Sequence, residues 1–460
     1  MKIGLLPLYV KLYDKVLPQM RERLEGFYGE IAEQFESQKI QVVRAPFCRL
    51  KAEFGQAVQE FETQNVDAVV TLHMAYSPSL ESIDALAETA LPIVVLDTTQ
   101  TLEFTGEQNP DEISYCHGIH GVMDMCSMLT RRGKCYAIAA GHYLESDCIA
   151  RVCGYVRAAK AARALQGMRV GMVGGAFEGM GDFAVSFEEL AQRFGIQVLP
   201  QSREILQQCR SSVTEAQMEA ELARDREQFD FDGNVDWEEY RQSVLACLTM
   251  RRCLEQEKLN AFSVNFTQVG EASGLDTMPF IECCKAMERG IGYAGEGDAL
   301  TAALTGALMQ GWQDTNFVEI FCPDWQNNLL FLSHMGEVNY RVAATKPQVC
   351  RAGVNYTPGP YPYMGYTRMK AGQGVYVNIS RGQQDYKLTL AAAEMIEPQR
   401  DNFTASMRGW MKPQMRTARF LEGLSENGAT HHSVFVYGAK TEELIYFGRL
   451  LGLETVELNG

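Results

Sequence analysis

The chain has 460 residues, 46% of them hydrophobic and 22% charged, with a formal charge of −16 at neutral pH. That length exceeds a single hydrophobic core and predicts two or three domains. The acidic balance excludes a nucleic-acid or anionic-membrane partner held through a broad basic surface.

The opening "MKIGLLPLYVKLYDKVLP" carries too short an apolar run for a signal peptide, and no later stretch has the length of a membrane span. The sequence therefore reads as cytoplasmic. Short β-branched runs at 2–9, 40–46, 66–73, 92–97 and 134–140 alternate with helical patterns such as 17–37 and 54–64. This alternation predicts a parallel sheet covered by helices over residues 1–165. A second cycle opens at 168–175, passes through helical segments near 185–194, 213–225 and 237–257, and returns to a strand at 261–266. It predicts a second α/β domain over 166–315. Its glycine-rich "GMVGGAFEGMGDF" (171–183) lacks the G-x-G-x-x-G spacing of a dinucleotide loop and reads as a close backbone approach beside a pocket. The acids of "DFDGNVDWEE" (230–239) do not form a calcium loop, because the glycine falls fourth in the run and not sixth.

From 316 to 460 the texture is strand-like, with Gly, Pro and Tyr between the runs, as in "TPGPYPYMGY" (357–366), and a last helical segment at 441–452. The fold class is thus α/β: two tandem doubly wound (Rossmann- or flavodoxin-like) domains followed by an antiparallel β-barrel-like C-terminal domain. The thirteen cysteines include no C-x-x-C pair and read as reduced, mostly buried thiols.

The stretch "GYAGEGDALTAAL" (292–304) sets Glu296 in a glycine turn before an apolar helix, with Asp298 placed to cap that helix. A glycine turn at a helix start ordinarily attracts an anion, yet this one already carries two. Seven histidines occur, and three fall near strand ends in the C-terminal part: His334 in "FLSHMGE", and His431 and His432 in "GATHHSVF". Since neighbours on a strand point to opposite faces, one member of the His431–His432 pair is expected in any given site. Glu319 sits in the apolar strand "NFVEIFC", either as the solvent-facing member of an edge strand or facing a cleft. Together Glu296, Glu319, His334 and His432 make an octahedral donor set for a hard or borderline divalent metal, Mn²⁺ first, with Mg²⁺ or Co²⁺ as alternatives.

These motifs resemble the L-arabinose isomerases, within the wider L-fucose and L-arabinose isomerase superfamily. The resemblance is carried by "GYAGEGDALTAAL", "FVEIF" followed by "SHMGE", and "GATHHSVF", in matching order and spacing. Earlier, "IHGVMDM" with His120, "GMGDFAV" with Met180 and "AFSVNF" with Phe266 resemble the family's substrate-binding segments. The resemblance implies a sugar isomerase interconverting aldoses and ketoses through an enediolate. Glu296, Glu319, His334 and His432 would be the metal ligands, with Glu296 and Glu319 also the catalytic acid–base pair. It further implies a homo-oligomer, a hexamer or trimer. The family's Gln-His-Leu-Tyr-Gly motif after the first strand is replaced here by "LPLYVKLYDKVLP", so L-arabinose itself does not carry over as substrate. Lys11 and Lys15 in that replacement could face an anionic or otherwise modified sugar, or simply open a solvated helix. Two alternatives stay open: a non-catalytic sugar-binding sensor, and an epimerase or hydrolase on the same scaffold.

Overall fold

The computed structural model describes residues 1–459. It forms two compact units, one of Met1–Lys160 with Ile445–Leu451, the other of Ala161–Leu444 with the residues from Gly452 on.

The first unit is built on five parallel strands: β1 (Lys2–Leu8), β2 (Gln41–Arg44), β3 (Ala68–His73), β4 (Ile93–Asp97) and β5 (Tyr136–Ala140). Their order, β2-β1-β3-β4-β5, is that of a flavodoxin-like sheet. All six residues of β3 are buried, as expected of a strand covered on both faces. Helices Lys51–Thr63, Ser79–Glu88 and Ile119–Arg131 bring Phe54, Phe61, Ile83, Leu86, Met125 and Leu129 into the same core as Val69 and Val95.

The second unit contains a four-stranded parallel sheet and a barrel. The sheet uses β6 (Arg169–Val173), β7 (Gln197–Pro200), β9 (Ala261–Val264) and β10 (Gly292–Gly295), in the order β10-β9-β6-β7. The edge strand β7 was not expected from the sequence, because four residues ending in proline carry little periodicity. β8 (Asp230–Phe231) pairs instead with β13 (Gln348–Arg351), which pairs with β14 (Tyr363–Tyr366) in a small separate sheet. Among the acids around it, Asp236 caps the helix Trp237–Gln256 by accepting hydrogen bonds from the Glu238 and Glu239 N–H groups.

The barrel strands are β11 (Thr315–Asp324), β12 (Leu329–His334), β15 (Gly372–Arg381), β16 (Tyr386–Ile396), β17 (Met407–Pro413) and β18 (His432–Tyr437). They run in the order β15-β18-β11-β12-β17-β16, and β15 pairs with β16 to close the ring, so every barrel edge is satisfied. β19 (Glu454–Glu457) adds in parallel to β16. Both the parallel α/β sheets and the antiparallel barrel agree with the sequence reading.

One helix joins the sheet and the barrel. Ala299–Gly311 is buried throughout its first eleven residues, which is why its sequence is apolar on every side. It packs against β6, β9 and β10 on one side and β11, β15 and β18 on the other. Its N-terminus therefore lies where the parallel sheet and the barrel meet. Among the described residues no disulfide joins any of the thirteen cysteines.

Candidate metal centre

The turn that opens this helix follows β10 directly. Glu296 adopts φ +63° and Gly297 φ +87°, both in the left-handed region. A side chain at Gly297 would place its Cβ 2.2 Å from the Gly175 carbonyl oxygen, so glycine is required for the 174–186 loop to lie against the turn. The contact is fixed by the Phe177 N–H donating to the Glu296 carbonyl at 2.8 Å. Gly295 serves a second approach, since a Cβ there would lie 2.6 Å from His334 Cε1. The close backbone approach expected of the 171–183 segment is thus observed.

Strand register assembles the remaining residues. Glu319 of β11 pairs with His432 of β18 on one side and with Ser333, the neighbour of His334, on the other. β11 is an internal strand, so the edge-strand reading of Glu319 does not apply. The Glu319 carboxylate lies 3.9 Å from His334 Nε2, and His432 Nε2 lies 3.5 Å from Glu296 Oε2. Glu319, His334 and His432 offer ligand atoms all within 4.8 Å of one another, as do Glu296, His431 and His432. The two groups share His432.

Carboxylates behind the rings fix their orientation. His334 Nδ1–H donates to Glu337 Oε2 at 2.7 Å, and Glu337 also accepts from Tyr293 OH and the Gly336 N–H, each at 2.9 Å. His432 Nδ1–H donates to Asp298 Oδ2 at 3.1 Å, while Asp298 Oδ1 caps the helix through the Thr301 N–H at 2.8 Å. The capping role read from the sequence is therefore present, and the same carboxylate also orients a histidine. With each Nδ1 committed, each Nε2 is left to face the site, the arrangement that carboxylates bonded behind the rings impose on metal-binding imidazoles. His432 is fully buried, and its Nε2 has no hydrogen-bond partner among the described residues. An orphaned ring nitrogen facing carboxylates is the donor chemistry a divalent cation satisfies.

His431 departs from the alternation argument. β18 begins at His432, so His431 precedes the strand and is not obliged to point away; its Nε2 lies 3.8 Å from Glu296 Oε2 and its ring centroid 4.4 Å from that of His432. Both histidines of the pair face Glu296. His431, Glu337 and the second role of Asp298 were missed in the sequence. Only the three-residue spacing of Glu337 from His334 offered a local signal.

Burial raises the Glu296 carboxyl, but the facing imidazoles of His431 and His432 outweigh it and hold the group well below the usual carboxylate range. Burial is the leading influence on Glu319, which it raises. Burial lowers the His432 imidazole, yet Asp298 and Glu296 prevail and push it up to about 9.

Phe266 lies beyond the end of β9, in a short 3₁₀ turn (Phe266–Gln268) where the Asn265 side chain accepts from the Thr267 N–H. Its ring centroid is 5.6 Å from that of Phe177. Met180 is half-buried in the same 174–186 loop. His120 belongs to the first unit. It is exposed in the first turn of the helix Ile119–Arg131, its ring 5.0 Å from those of Tyr76 and His117, and His117 in turn is bonded to Tyr13 OH at 2.8 Å.

Residues 168–311 match the L-arabinose isomerase central domain and residues 314–454 the L-arabinose isomerase C-terminal domain. The chain belongs to the L-arabinose isomerase family. It is 28% identical over 258 residues to the L-arabinose isomerase of Oceanobacillus iheyensis, an alignment covering 54% of this chain and 53% of that enzyme, so the match spans about half the relative's length. A longer alignment, 23% identical over 409 residues, covers 86% of this chain and 82% of the Shouchella clausii enzyme. The Geobacillus kaustophilus enzyme is 25% identical over 413 residues, covering 85% of this chain and 80% of its own length. Matches among solved structures include a solute-binding protein from Burkholderia multivorans at 16% identity, covering 67% of this chain and 91% of that one, with a TM-score of 0.16, too low to bear on the fold. Within the isomerase family, Glu296, Glu319, His334 and His432 all fall in the two matched domains, whereas His120 lies before them.

Proposed function

We propose that this protein is a metal-dependent aldose–ketose isomerase acting on a monosaccharide. The observation that carries the reading is the buried, unpartnered His432 Nε2 at the junction of two carboxylate–imidazole groups. Glu296, Glu319, His334 and His432 would hold the ion, Mn²⁺ by preference, with Mg²⁺ or Co²⁺ as alternatives for this oxygen and nitrogen donor set. When bound, the ion supplies Lewis-acid polarisation of the sugar's carbonyl and hydroxyl oxygens.

The protein's own groups handle the protons. One of Glu296 and Glu319 takes the proton from the carbon beside the carbonyl, and the other serves the hydroxyl proton or returns one to the neighbouring carbon. His431 Nε2 faces Glu296 at 3.8 Å, too far for a direct hydrogen bond and close enough that one hydroxyl oxygen about 2.8 Å from each could sit between them. Met180 and Phe266 would line the sugar's apolar edge, and His120 would donate to a sugar hydroxyl. Because "LPLYVKLYDKVLP" stands in place of the family's first-strand motif, this reading does not carry L-arabinose over as the substrate and leaves the monosaccharide open, a modified or anionic one included. The same reading takes the protein as a cytoplasmic homo-oligomer, hexameric or trimeric, with domains at 1–165, 166–315 and 316–460.

Product analysis over a panel of aldoses and ketoses with added Mn²⁺ tests the reading, with deuterium wash-in at the second carbon marking isomerisation. Glu296→Gln and Glu319→Gln should each lower turnover by about 10²–10⁴-fold while the protein stays folded. Purification without a stoichiometric divalent ion, together with indifference to chelator, would favour a sugar sensor instead.

A further inference from the structure

We propose that Asp182 is a positioning residue of this site, holding His431 in the ring orientation that lets its Nε2 and Glu296 address the same sugar hydroxyl. The inference rests on the isomerase reading above. A single oxygen, Asp182 Oδ2, accepts both the His431 backbone N–H at 2.9 Å and the ring Nδ1–H at 2.6 Å. Backbone and ring are thereby pinned to one point, which leaves the imidazole no rotation that keeps both bonds.

Asp182 repeats for His431 what Asp298 does for His432 and Glu337 for His334. All three imidazoles of the site have Nδ1 on a carboxylate and Nε2 turned inward. The third carboxylate differs in its origin. Asp298 and Glu337 are buried, whereas Asp182 is 38% exposed and lies on the 174–186 loop. A partly exposed ion pair contributes little to stability, so stability does not account for the geometry.

The loop also touches both halves of the site. Phe177 holds the Glu296 carbonyl through its N–H, and the Phe183 ring stacks on His432 at 4.8 Å with an interplanar angle of 8°. Asp182 lies between these two contacts in sequence and supplies the third. The loop therefore sets Glu296, His431 and His432 relative to one another, and Asp182 is its only contact among these that acts on a ring nitrogen.

The test compares Asp182→Ala with Asp182→Asn in the full-length protein. Since one oxygen receives both bonds, the asparagine carbonyl can replace it and alanine cannot. Asp182→Ala should lower kcat/KM by about 10–100-fold, chiefly through kcat, with Mn²⁺ affinity by EPR titration and Tm unchanged. Asp182→Asn should recover most of that loss. Activity of Asp182→Ala within threefold of wild type, or an Asn variant as impaired as the Ala variant, overturns the inference. ¹⁵N NMR of the histidine rings reads the geometry without turnover. The His431 Nδ1–H signal, identified by its absence in His431→Gln, should persist in Asp182→Asn and vanish in Asp182→Ala. An unchanged His431 ring in Asp182→Ala overturns the inference whether or not the wild type isomerises a sugar, whereas a wild type inactive on every sugar defeats only the isomerase reading.

Discussion

Gly297 shows how narrowly a single backbone atom limits this site. Its φ of +87° and the Gly175 carbonyl 2.2 Å from any added Cβ oppose a side chain on two independent grounds. Gly297→Ala should cost about 1–3 kcal/mol by strain alone, read as a lowered urea midpoint, and should reduce turnover because the 174–186 loop must move off the turn. Wild-type stability and turnover in this variant would mean the loop does not depend on the close approach. The sequence made Glu296 legible because glycines on both sides and an apolar helix behind it are local signals. His431 was not legible, since alternation holds only inside a strand and β18 starts one residue later. Asp298 and Asp182 orient His432 and His431 across long sequence separations, of which only the helix-capping half of Asp298's work leaves a pattern, whereas Glu337 sits three residues from His334. His120 stays an expectation with its own measurement: His120→Ala should raise KM with little change in kcat.

At the scale of elements, the helices of the second unit are joined by charges that periodicity does not reveal. Arg251, on Trp237–Gln256, bonds Glu221 of Glu215–Gln228 at 2.7 and 2.8 Å and Glu282 of Phe280–Glu288 at 2.6 Å. Lys285 bonds Glu221 at 2.6 Å and also Asp225, and Arg289 bonds Glu282. Glu221 and Glu282 are buried, so removing Arg251 takes away the cation they share and leaves Glu221 to Lys285 and Arg224 and Glu282 to Arg289, each carboxylate less fully compensated in a low-dielectric interior. Arg251→Met should destabilise the protein by about 3–5 kcal/mol in chemical denaturation. Burial raises the Glu221 carboxyl, but Arg251 and Lys285 overcome it and bring it from 4.5 down to about 2. A depressed folded pKa means the stabilisation is complete above the unfolded value and is lost as pH falls through that window. Melting temperature should therefore drop between about pH 5 and pH 2, and the fall should be shallower in Arg251→Met; equal slopes would remove Glu221 as its cause. The helices themselves were legible at 213–225 and 237–257, because their buried faces recur at helical spacing. The short strands β7, β13 and β14 were not, because four residues held in place by neighbours carry too little period to stand out.

Across the whole molecule, the proposed ligands come from both layers of the second unit: Glu296 follows the parallel sheet, and Glu319, His334 and His432 lie on adjacent barrel strands. The sequence could foresee both layers from their textures, one alternating and one strand-rich, but not the ring closure of β15 onto β16 that fixes the barrel. An ion bound by residues of both layers binds the folded chain and not the unfolded one, so its affinity becomes stability. At a hundredfold excess over Kd this linkage is worth about 2.7 kcal/mol. With an unfolding entropy of about 2.1 cal/mol/K per residue, a chain of 460 residues loses roughly 1 kcal/mol of stability per degree near Tm. Saturating Mn²⁺ should therefore raise Tm by about 3 °C, and EDTA should reverse the rise. His432→Ala should abolish the increment, read against that variant's own metal-free Tm, which should itself fall because the buried ring also donates its Nδ1–H to Asp298 and packs on Phe183. A rise of equal size in His432→Ala would show that Mn²⁺ acts elsewhere on this acidic chain, and the four-residue donor set would have to be abandoned.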